Sequence, residues 1–175
     1  EISHRGILEL DTPINWIDTS EMDFHEEFVG ESFGRINKPE ANLLLQELEN
    51  YIRKIGENRV AEECIDFGLI SPYKAQVQYL RNKIKGNPFF RPYRNRITVN
   101  TVDGFQGQER DVIFISLARA NANGPIGFLN DLRRMNVAIT RARMKLAILG
   151  DATTMSKHAF YRKLMEYING LRQNS

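Results

Sequence analysis

Short apolar segments of strand length alternate with longer amphipathic segments along most of this 175-residue sequence. Apolar residues recur at helical spacing from Leu44 to Ile55 and from Val77 to Ile84. Strands that alternate with helices are typical of a sheet covered by helices on both faces. The sequence therefore predicts a three-layer α/β/α domain with a mostly parallel sheet and four long helices. Its five strands are expected at residues 14–17, 64–70, 97–100, 112–117 and 146–149.

Capping residues set the predicted helix boundaries. Asn37 can cap the helix that follows it, with Pro39 in the first turn and Gly56 at the end.

The acidic, aperiodic segment 18–38 is expected to be a long surface loop. The connection 103–111 is shorter than the dozen or so residues of a usual parallel crossover, so either one helical turn serves or the two strands are antiparallel. Further helices are predicted at residues 73–85, at about 132–141 and around 160–168.

The length fits one domain over residues 1–175, with 1–36 as a partly irregular lead-in. The net charge is only +2, but the charges are unevenly distributed. Residues 1–31 hold nine Asp/Glu and one Lys/Arg, whereas 70–145 hold fourteen Lys/Arg and four Asp/Glu. Such a basic section can bind a polyanion, either nucleic acid or the phosphates of a nucleotide. The alternative is a solvated basic surface.

Cysteine content and hydropathy indicate where the protein works. Cys64 is the single cysteine, so no disulfide forms within the chain. Residues 1–11 carry no signal-peptide pattern, and no apolar run approaches the roughly 18–20 residues of a membrane span. We expect an intracellular protein, cytoplasmic or, in a eukaryote, nuclear, without a membrane partner.

Several common active-site patterns are missing from the sequence. It has no G-x-x-x-x-G-K-[ST] phosphate loop and no G-x-G-x-x-G after a strand. No His/Cys/Asp/Glu group has metal-site spacing, and no Ser lies in a nucleophile elbow. We therefore expect no metal site in this sequence and no self-contained active site.

Residues 70–76, between a predicted strand and a predicted helix, form the first of three unusual polar segments. Ser71, Tyr73 and Gln76 offer a hydroxyl, an aromatic ring and an amide, which can hold a phosphate and stack on a base. A plain turn with a buried aromatic residue is the more frequent reason for such a sequence.

The second segment is residues 101–111, in which two glycines allow the backbone to approach a ligand closely. Thr101, Gln106 and Glu109 add polar groups. A tight loop between strands also favours glycine, yet the run QGQE is more polar than a turn requires.

The third segment, residues 129–143, is expected to be helical over most of its length and alternates arginines with apolar core residues. One or two arginines could stabilise a helix carboxyl terminus. Guanidinium groups also bind phosphate oxygens bidentately, so at least one is expected to face a phosphate. We expect each of the three segments at the carboxyl end of a predicted strand or on the helix next to it, and open α/β sheets bind ligands at that edge. The four arginines are Arg133, Arg134, Arg141 and Arg143.

Together these segments resemble motifs IV, V and VI of superfamily 1 helicases, in the branch of the nonsense-mediated-decay helicases and senataxin. Residues 71–76 (SPYKAQ) are similar to motif IV, 101–109 (TVDGFQGQE) to motif V and 134–143 (RMNVAITRAR) to motif VI. Residues 37–41 (NKPEA) resemble the N-x-x-E-A segment of that branch. The resemblance implies the second RecA-like lobe of a motor and covers residues 37–151. Motifs V and VI are the specific part of the match.

The resemblance also implies residue roles. Arg141 corresponds to the arginine that reaches the γ-phosphate of ATP across the cleft between lobes, and Glu109 to the motif V glutamate that contacts the nucleotide. The other residues expected on the ATP side are Gln106, Gly107, Arg134 and Arg143, of which Arg134 is assigned only a supporting role. In the family the phosphate loop and the Mg²⁺ ligands belong to the preceding lobe, which would be a partner of this one.

Motifs IV and V touch the nucleic-acid backbone in the family. The corresponding residues here are Ser71, Pro72, Tyr73, Thr101 and Val102, with Gln76 in a supporting role. The expected partner is single-stranded DNA or RNA, and the expected cofactor is ATP with Mg²⁺. The alternative is a non-catalytic nucleic-acid-binding module derived from such a lobe.

Overall fold

A computed structural model of the chain describes residues 12–29, 34–105, 107–121, 129 and 131–173. Within these ranges the chain forms strands and α-helices with short 3₁₀ turns between them. The strands are β1 (Ile14–Asp18), β2 (Glu27–Val29), β3 (Gly34–Ile36), β4 (Phe67–Ser71), β5 (Ile97–Thr101), β6 (Arg110–Ser116) and β7 (Ala142–Gly150). The helices are α1 (Lys38–Ile55), α2 (Glu57–Glu62), α3 (Lys74–Gly86), α4 (Leu132–Ile139), α5 (Ala152–Met155) and α6 (Ala159–Gln173).

Five strands form one parallel sheet in the order β1-β7-β6-β4-β5. Alternate side chains of its central strands point to opposite faces, as in Val112 and Ile113 of β6. Val112 belongs to an apolar core formed with α1 and α3, and Ile113 to a second core formed with α4 and α6. The predicted three-layer α/β fold is confirmed.

The predicted boundaries of α1 are also confirmed. The Asn37 side chain accepts a hydrogen bond from the Glu40 backbone N–H at 3.0 Å, and Pro39 follows in the first turn. Gly56 ends the helix with φ +94°, and its N–H donates to the Ile52 carbonyl at 2.9 Å. The cap places Glu40 at the carboxyl end of β6, where Glu40 Oε1 accepts from the Ala118 N–H at 2.8 Å.

The described residues of the segment 18–38 include regular structure that the expectation of a surface loop did not contain. After a 3₁₀ turn at Ser20–Met22, β2 and β3 pair antiparallel, with Phe28 opposite Arg35. The guanidinium of Arg35 lies 4.6 Å from the centroid of the Phe28 ring. Three-residue strands are too short to show an alternating pattern, and this small hairpin was therefore missed.

The third polar segment is helical only as far as Ile139, so the prediction of one helix to about residue 141 is wrong. Thr140 is the residue that caps the helix, and its Oγ1 donates hydrogen bonds to the carbonyls of Asn136 and Val137. β7 begins at Ala142 rather than Leu146 and pairs there with β6. Arg141 thus lies in a turn, and Arg143 lies on a strand.

The connection between β5 and β6 resolves the open alternative in favour of a parallel arrangement. Both strands pair parallel with β4, one on each side, so β5 and β6 are not neighbours. A single 3₁₀ turn at Asp103–Phe105 serves as the crossover. The buried ring of Phe105 packs against Gly68 of β4, and this close packing allows the chain to cross the strand in so few residues.

Candidate nucleotide and nucleic-acid sites

The three motif segments lie at two opposite edges of the sheet. Ser71 and Thr101 end the paired strands β4 and β5 at the carboxyl edge. Arg110 and Ala142 begin β6 and β7 at the amino edge, so the adjacent Arg141 lies there too. Motif IV and the start of motif V thus follow the carboxyl ends of strands, whereas motif VI lies on α4 and the turn that leads into β7, so the three segments do not meet at one edge. Motif V crosses the sheet from one edge to the other because β5 and β6 run in the same direction.

Arg141 lies at the amino edge, against the end of motif V. Its Nη1 donates to the Gln108 carbonyl at 3.3 Å and its Nε to the Val137 carbonyl at 3.0 Å. Its own carbonyl accepts from the Arg110 N–H at 3.0 Å. All these acceptors are neutral, and within the described residues no carboxylate pairs with Arg141. The guanidinium therefore carries an uncompensated positive charge.

Two further residues of the expected nucleotide set flank Gln108, whose carbonyl accepts from Arg141. Gly107 has φ +75°, a conformation that glycine adopts readily, with open space around its Cα. Glu109 is exposed and immediately precedes β6. Gln106 lies outside the described residues. The amino edge thus brings together Gly107, Glu109 and Arg141 on an open surface.

Arg143 is held by carboxylates instead. Its Nε lies 3.0 Å from Asp111 Oδ1, and its Nη2 lies 3.1 Å from Asp66 Oδ1. Asp111 is 2% exposed and Asp66 donates its N–H to the Asp111 side chain. Burial lowers the pKa of Arg143, but the hydrogen bonds and negative charge of the two aspartates outweigh it and raise the pKa above its ordinary value. Its charge is already neutralised, which is typical of a structural ion pair.

Arg134 lies toward the opposite end of α4 from Arg141. Its guanidinium is 3.4 Å from Asp103 and 3.5 Å from Asp131, and its side chain is 46% exposed. A small cavity of about 180 Å³ lies beside it, lined also by Val102 and Arg133. Binding pockets for whole small ligands are generally larger, about 300–1,000 Å³. Neither this cavity nor the cleft of about 830 Å³ between α1 and α3, which no predicted site residue lines, forms a nucleotide pocket around the motifs.

Most of the residues expected to touch nucleic acid are buried. Ser71, Tyr73 and Gln76 are each no more than 3% exposed. Val102 is buried as well, and Pro72 and Thr101 are half-buried at the carboxyl edge. Direct contact with a strand is therefore open to only part of the expected set, and the buried members can act by positioning the edge.

Gln76 is part of a buried polar network at the end of β6. Its amide exchanges two hydrogen bonds with the Asn37 backbone, at 2.9 and 3.0 Å, and donates to Ser116 Oγ at 3.0 Å. Ser116 in turn donates to Glu40 Oε1 at 2.6 Å. Burial is the largest influence on Glu40 and raises its pKa to about 7, although the bonds from Ser116 and Ala118 oppose this. The N-x-x-E-A segment was recognised in the sequence, but the role of its Glu was not.

A second network connects Tyr73 to the β2–β3 hairpin through Arg119, a residue that sequence reasoning missed. Arg119 Nη1 donates to Tyr73 Oη at 3.2 Å, and its Nε lies 2.7 Å from Glu26 Oε2. Glu26 also pairs with Arg35 at 3.0 Å. Arg119 is 5% exposed, and a buried arginine requires such a partner. An arginine after a strand of apolar residues was the only signal in the sequence.

Two structural observations concern other kinds of site. Among the described residues, no three His, Cys, Asp or Glu side chains converge as the ligands of a metal ion would. Within the same part of the chain, no helix combines the length and the apolar character needed to cross a bilayer.

The parallel sheet with motifs V and VI along its edges defines a RecA-like helicase lobe. The AAA domain family model matches residues 3–153 of the chain. The chain belongs to this family, as a superfamily 1 helicase lobe of the nonsense-mediated-decay and senataxin branch.

Named helicases are among the relatives of the chain. Probable helicase MAGATAMA 3 of Arabidopsis thaliana is 35% identical over 82% of this chain and 18% of its own length. Helicase sen1 of Schizosaccharomyces pombe is 36% identical over 70% of this chain and 7% of its own length. DNA polymerase alpha-associated DNA helicase A of Saccharomyces cerevisiae is 35% identical over 83% of this chain and 20% of its own length. The chain thus spans a fifth or less of these relatives.

Proposed function

We propose that this lobe completes the ATP site of an ATP-dependent helicase or translocase that works inside the cell on single-stranded DNA or RNA. ATP would bind between this lobe and a preceding RecA-like lobe of the same protein. The preceding lobe would supply the phosphate loop and the Mg²⁺ ligands, since the described residues offer no cluster for that ion. Closure of the two lobes would then move the protein along one strand.

The observation that carries the proposal is the uncompensated charge of Arg141. Within the described residues the Arg141 guanidinium bonds to neutral carbonyl and hydroxyl oxygens, so an anionic partner would add the attraction of an opposite charge and could accept two of its N–H groups at once. Gly107 and Glu109 are exposed and flank Gln108, whose carbonyl accepts from Arg141. We assign Arg141 the role of stabilising charge that develops on the γ-phosphate, and Glu109 a contact with the nucleotide.

Arg143 and Arg134 receive different roles under this proposal. Two aspartates neutralise the charge of Arg143. Its role is to hold β6, β7 and Asp66, the residue before β4, in place. Arg134 is a second candidate for the phosphate contact. Its ion pairs are long and its side chain is 46% exposed, so an incoming phosphate could displace Asp103 and Asp131.

The carboxyl edge is assigned to nucleic acid. Thr101 and Pro72 are accessible enough to touch a strand directly. Ser71, Tyr73, Gln76 and Val102 are buried, and we assign them the role of fixing the backbone that presents this edge.

Measuring ATP hydrolysis by the complete protein, with and without single-stranded nucleic acid, distinguishes the proposed motor from a non-catalytic binding module. The motor proposal predicts turnover that rises when single-stranded nucleic acid is added. If the complete protein binds single-stranded nucleic acid but hydrolyses no ATP in its presence or absence, the binding module is favoured.

A further inference from the structure

One end of the sheet is basic over a continuous stretch of the chain. Residues 67–102 contain seven Lys or Arg and no Asp or Glu. This stretch forms β4, α3, the 3₁₀ segment Pro88–Arg96 and the edge strand β5. The seven cations are Lys74, Arg81, Lys83, Lys85, Arg91, Arg94 and Arg96.

Four of its side chains follow one stripe of α3. Lys74, Gln78, Arg81 and Lys85 are all exposed, at spacings that place them on one face of a helix. Eleven residues of helix rise by about 16 Å, so the stripe runs that far from the carboxyl edge. Gln78, Arg81 and Lys85 also line a cleft of about 330 Å³ between α3 and β5.

Two arginines of this surface bond to neutral backbone carbonyls. Arg81 donates to the Val99 carbonyl at 3.0 and 2.7 Å, and Arg94 donates to the Lys85 carbonyl at 2.7 Å. Across the described part of the chain, none of the seven forms an ion pair with a carboxylate. Held by neutral acceptors at fixed positions, Arg81 and Arg94 present a positive field with little added ordering cost.

We infer that the α3–β5 surface, formed by Lys74, Arg81, Lys85 and Arg94, is a second binding site for the sugar–phosphate backbone of nucleic acid. It begins at Lys74, next to Pro72 at the carboxyl edge, and continues along α3 beside the edge strand β5. It would hold the nucleic acid that extends beyond the cleft between lobes. The inference rests on the proposed function only in taking the polyanion to be nucleic acid.

The lining favours nucleic-acid backbone over an added peptide strand. An extended peptide that joined the β5 edge would need its free carbonyl groups, but Arg81 already occupies that of Val99. None of the described residues that line the cleft is aromatic, so among them bases find no platform for stacking. Phosphate contact without base recognition predicts binding that is independent of sequence and strongly dependent on salt.

The test is a titration of the 175-residue chain with labelled single-stranded and duplex oligonucleotides at several salt concentrations. The variant carries Lys74→Ala, Arg81→Ala and Lys85→Ala. Its matched control carries Lys54→Ala, Arg162→Ala and Lys163→Ala, which remove the same charge from exposed positions on α1 and α6. Circular dichroism verifies the fold. Because Arg81 also bonds to Val99, a Lys74→Ala, Lys85→Ala double variant repeats the test with that contact intact.

We expect the triple variant to bind about tenfold or more weakly at low salt, and its log–log salt slope to be about two smaller for a single strand. The control should bind like the wild type, and the form of nucleic acid that loses more affinity is the form held at this surface. Equal weakening of variant and control would overturn the inference, as would displacement by a polyglutamate peptide as effective as by nucleic acid. If the inference about the α3–β5 surface fails, ATP hydrolysis stimulated by nucleic acid is unaffected, so the two proposals can fail separately.

Discussion

The ring of Phe105 lies directly on the backbone of Gly68. A methyl group on Gly68 would come within 2.9 Å of Phe105 Cε1 and 2.6 Å of Ile113 Cδ1, closer than real Cβ contacts. The absence of a side chain at Gly68 thus allows motif V to cross β4 and to join the two edges of the sheet.

Gly68→Ala is therefore expected to destabilise the chain. Overpacking of a core typically costs about 1–3 kcal/mol. Urea denaturation measures the free energy of unfolding, with Gly86→Ala as the control, since the space around the Gly86 Cα is open. A Gly68→Ala variant as stable as the control would mean that the crossover does not depend on this packing.

The fold could largely be predicted from the sequence, because alternation of strands and helices is a local signal. The five sheet strands lie close to the predicted segments, and the Asn37 cap follows from one residue and its neighbours. The hairpin was missed because Phe28 and Arg35 meet only across two three-residue strands. The end of α4 was misplaced because apolar spacing continues past Ile139, whereas pairing with β6 decides where β7 begins.

The site was less predictable, because its geometry depends on strand order. Motif residues could be recognised, but which edge each one occupies follows only from both β5 and β6 pairing with β4. The partners of Arg143 are likewise distant in sequence, since Asp66 is 77 residues away. Such long-range contacts leave no periodic pattern.

Arg143→Ala should reduce stability more than it reduces ATP affinity. The change would remove the guanidinium that pairs with both Asp66 and Asp111, of which Asp111 is 2% exposed. We expect a loss on the order of 2 kcal/mol, less than for a fully buried pair because the Arg143 side chain is 35% exposed. Urea denaturation provides the measurement, with the surface ion pair of Arg59 as the control through Arg59→Ala. Unchanged stability with weakened ATP binding in the complete protein would instead make Arg143 a nucleotide ligand.

Glu40 should give the stability a dependence on pH. Burial raises its pKa from about 4.5 to about 7, so between these values the folded chain keeps a proton that the unfolded chain has lost. The free energy of unfolding therefore falls as pH rises through this range, by on the order of 1 kcal/mol per pH unit from this group, and levels off above about pH 7.

Glu40→Gln removes the titrating group and keeps an oxygen that can accept from Ser116 and Ala118. The free energy of unfolding is measured for both proteins from pH 5 to about 8. The value for the wild type minus the value for the variant should fall as pH rises to about 7 and then level off. Exposed Glu62→Gln serves as the control. A difference that stays constant across this range would show that Glu40 titrates normally.

The isolated 175-residue chain is expected to fold but to hydrolyse no ATP. Its sequence contains no phosphate loop, and its described residues offer no cluster for Mg²⁺. Phosphate release should remain at background with and without a single strand. Turnover stimulated by nucleic acid would contradict the two-lobe account.

Steady-state ATP hydrolysis by the Arg141→Ala variant of the complete protein, at saturating single strand, tests the central claim most directly. An arginine that meets the γ-phosphate chiefly in the transition state lowers kcat rather than binding, so kcat should fall by on the order of 10³ and ATP affinity should stay within about tenfold. Arg141→Lys should restore little, because an ammonium cannot reproduce the planar fork. Exposed Arg162→Ala should match the wild type. If Arg141→Ala keeps more than about a tenth of the wild-type kcat, an effect under about 1.4 kcal/mol, the assignment is contradicted, and a large loss in Arg134→Ala would transfer the role to that residue.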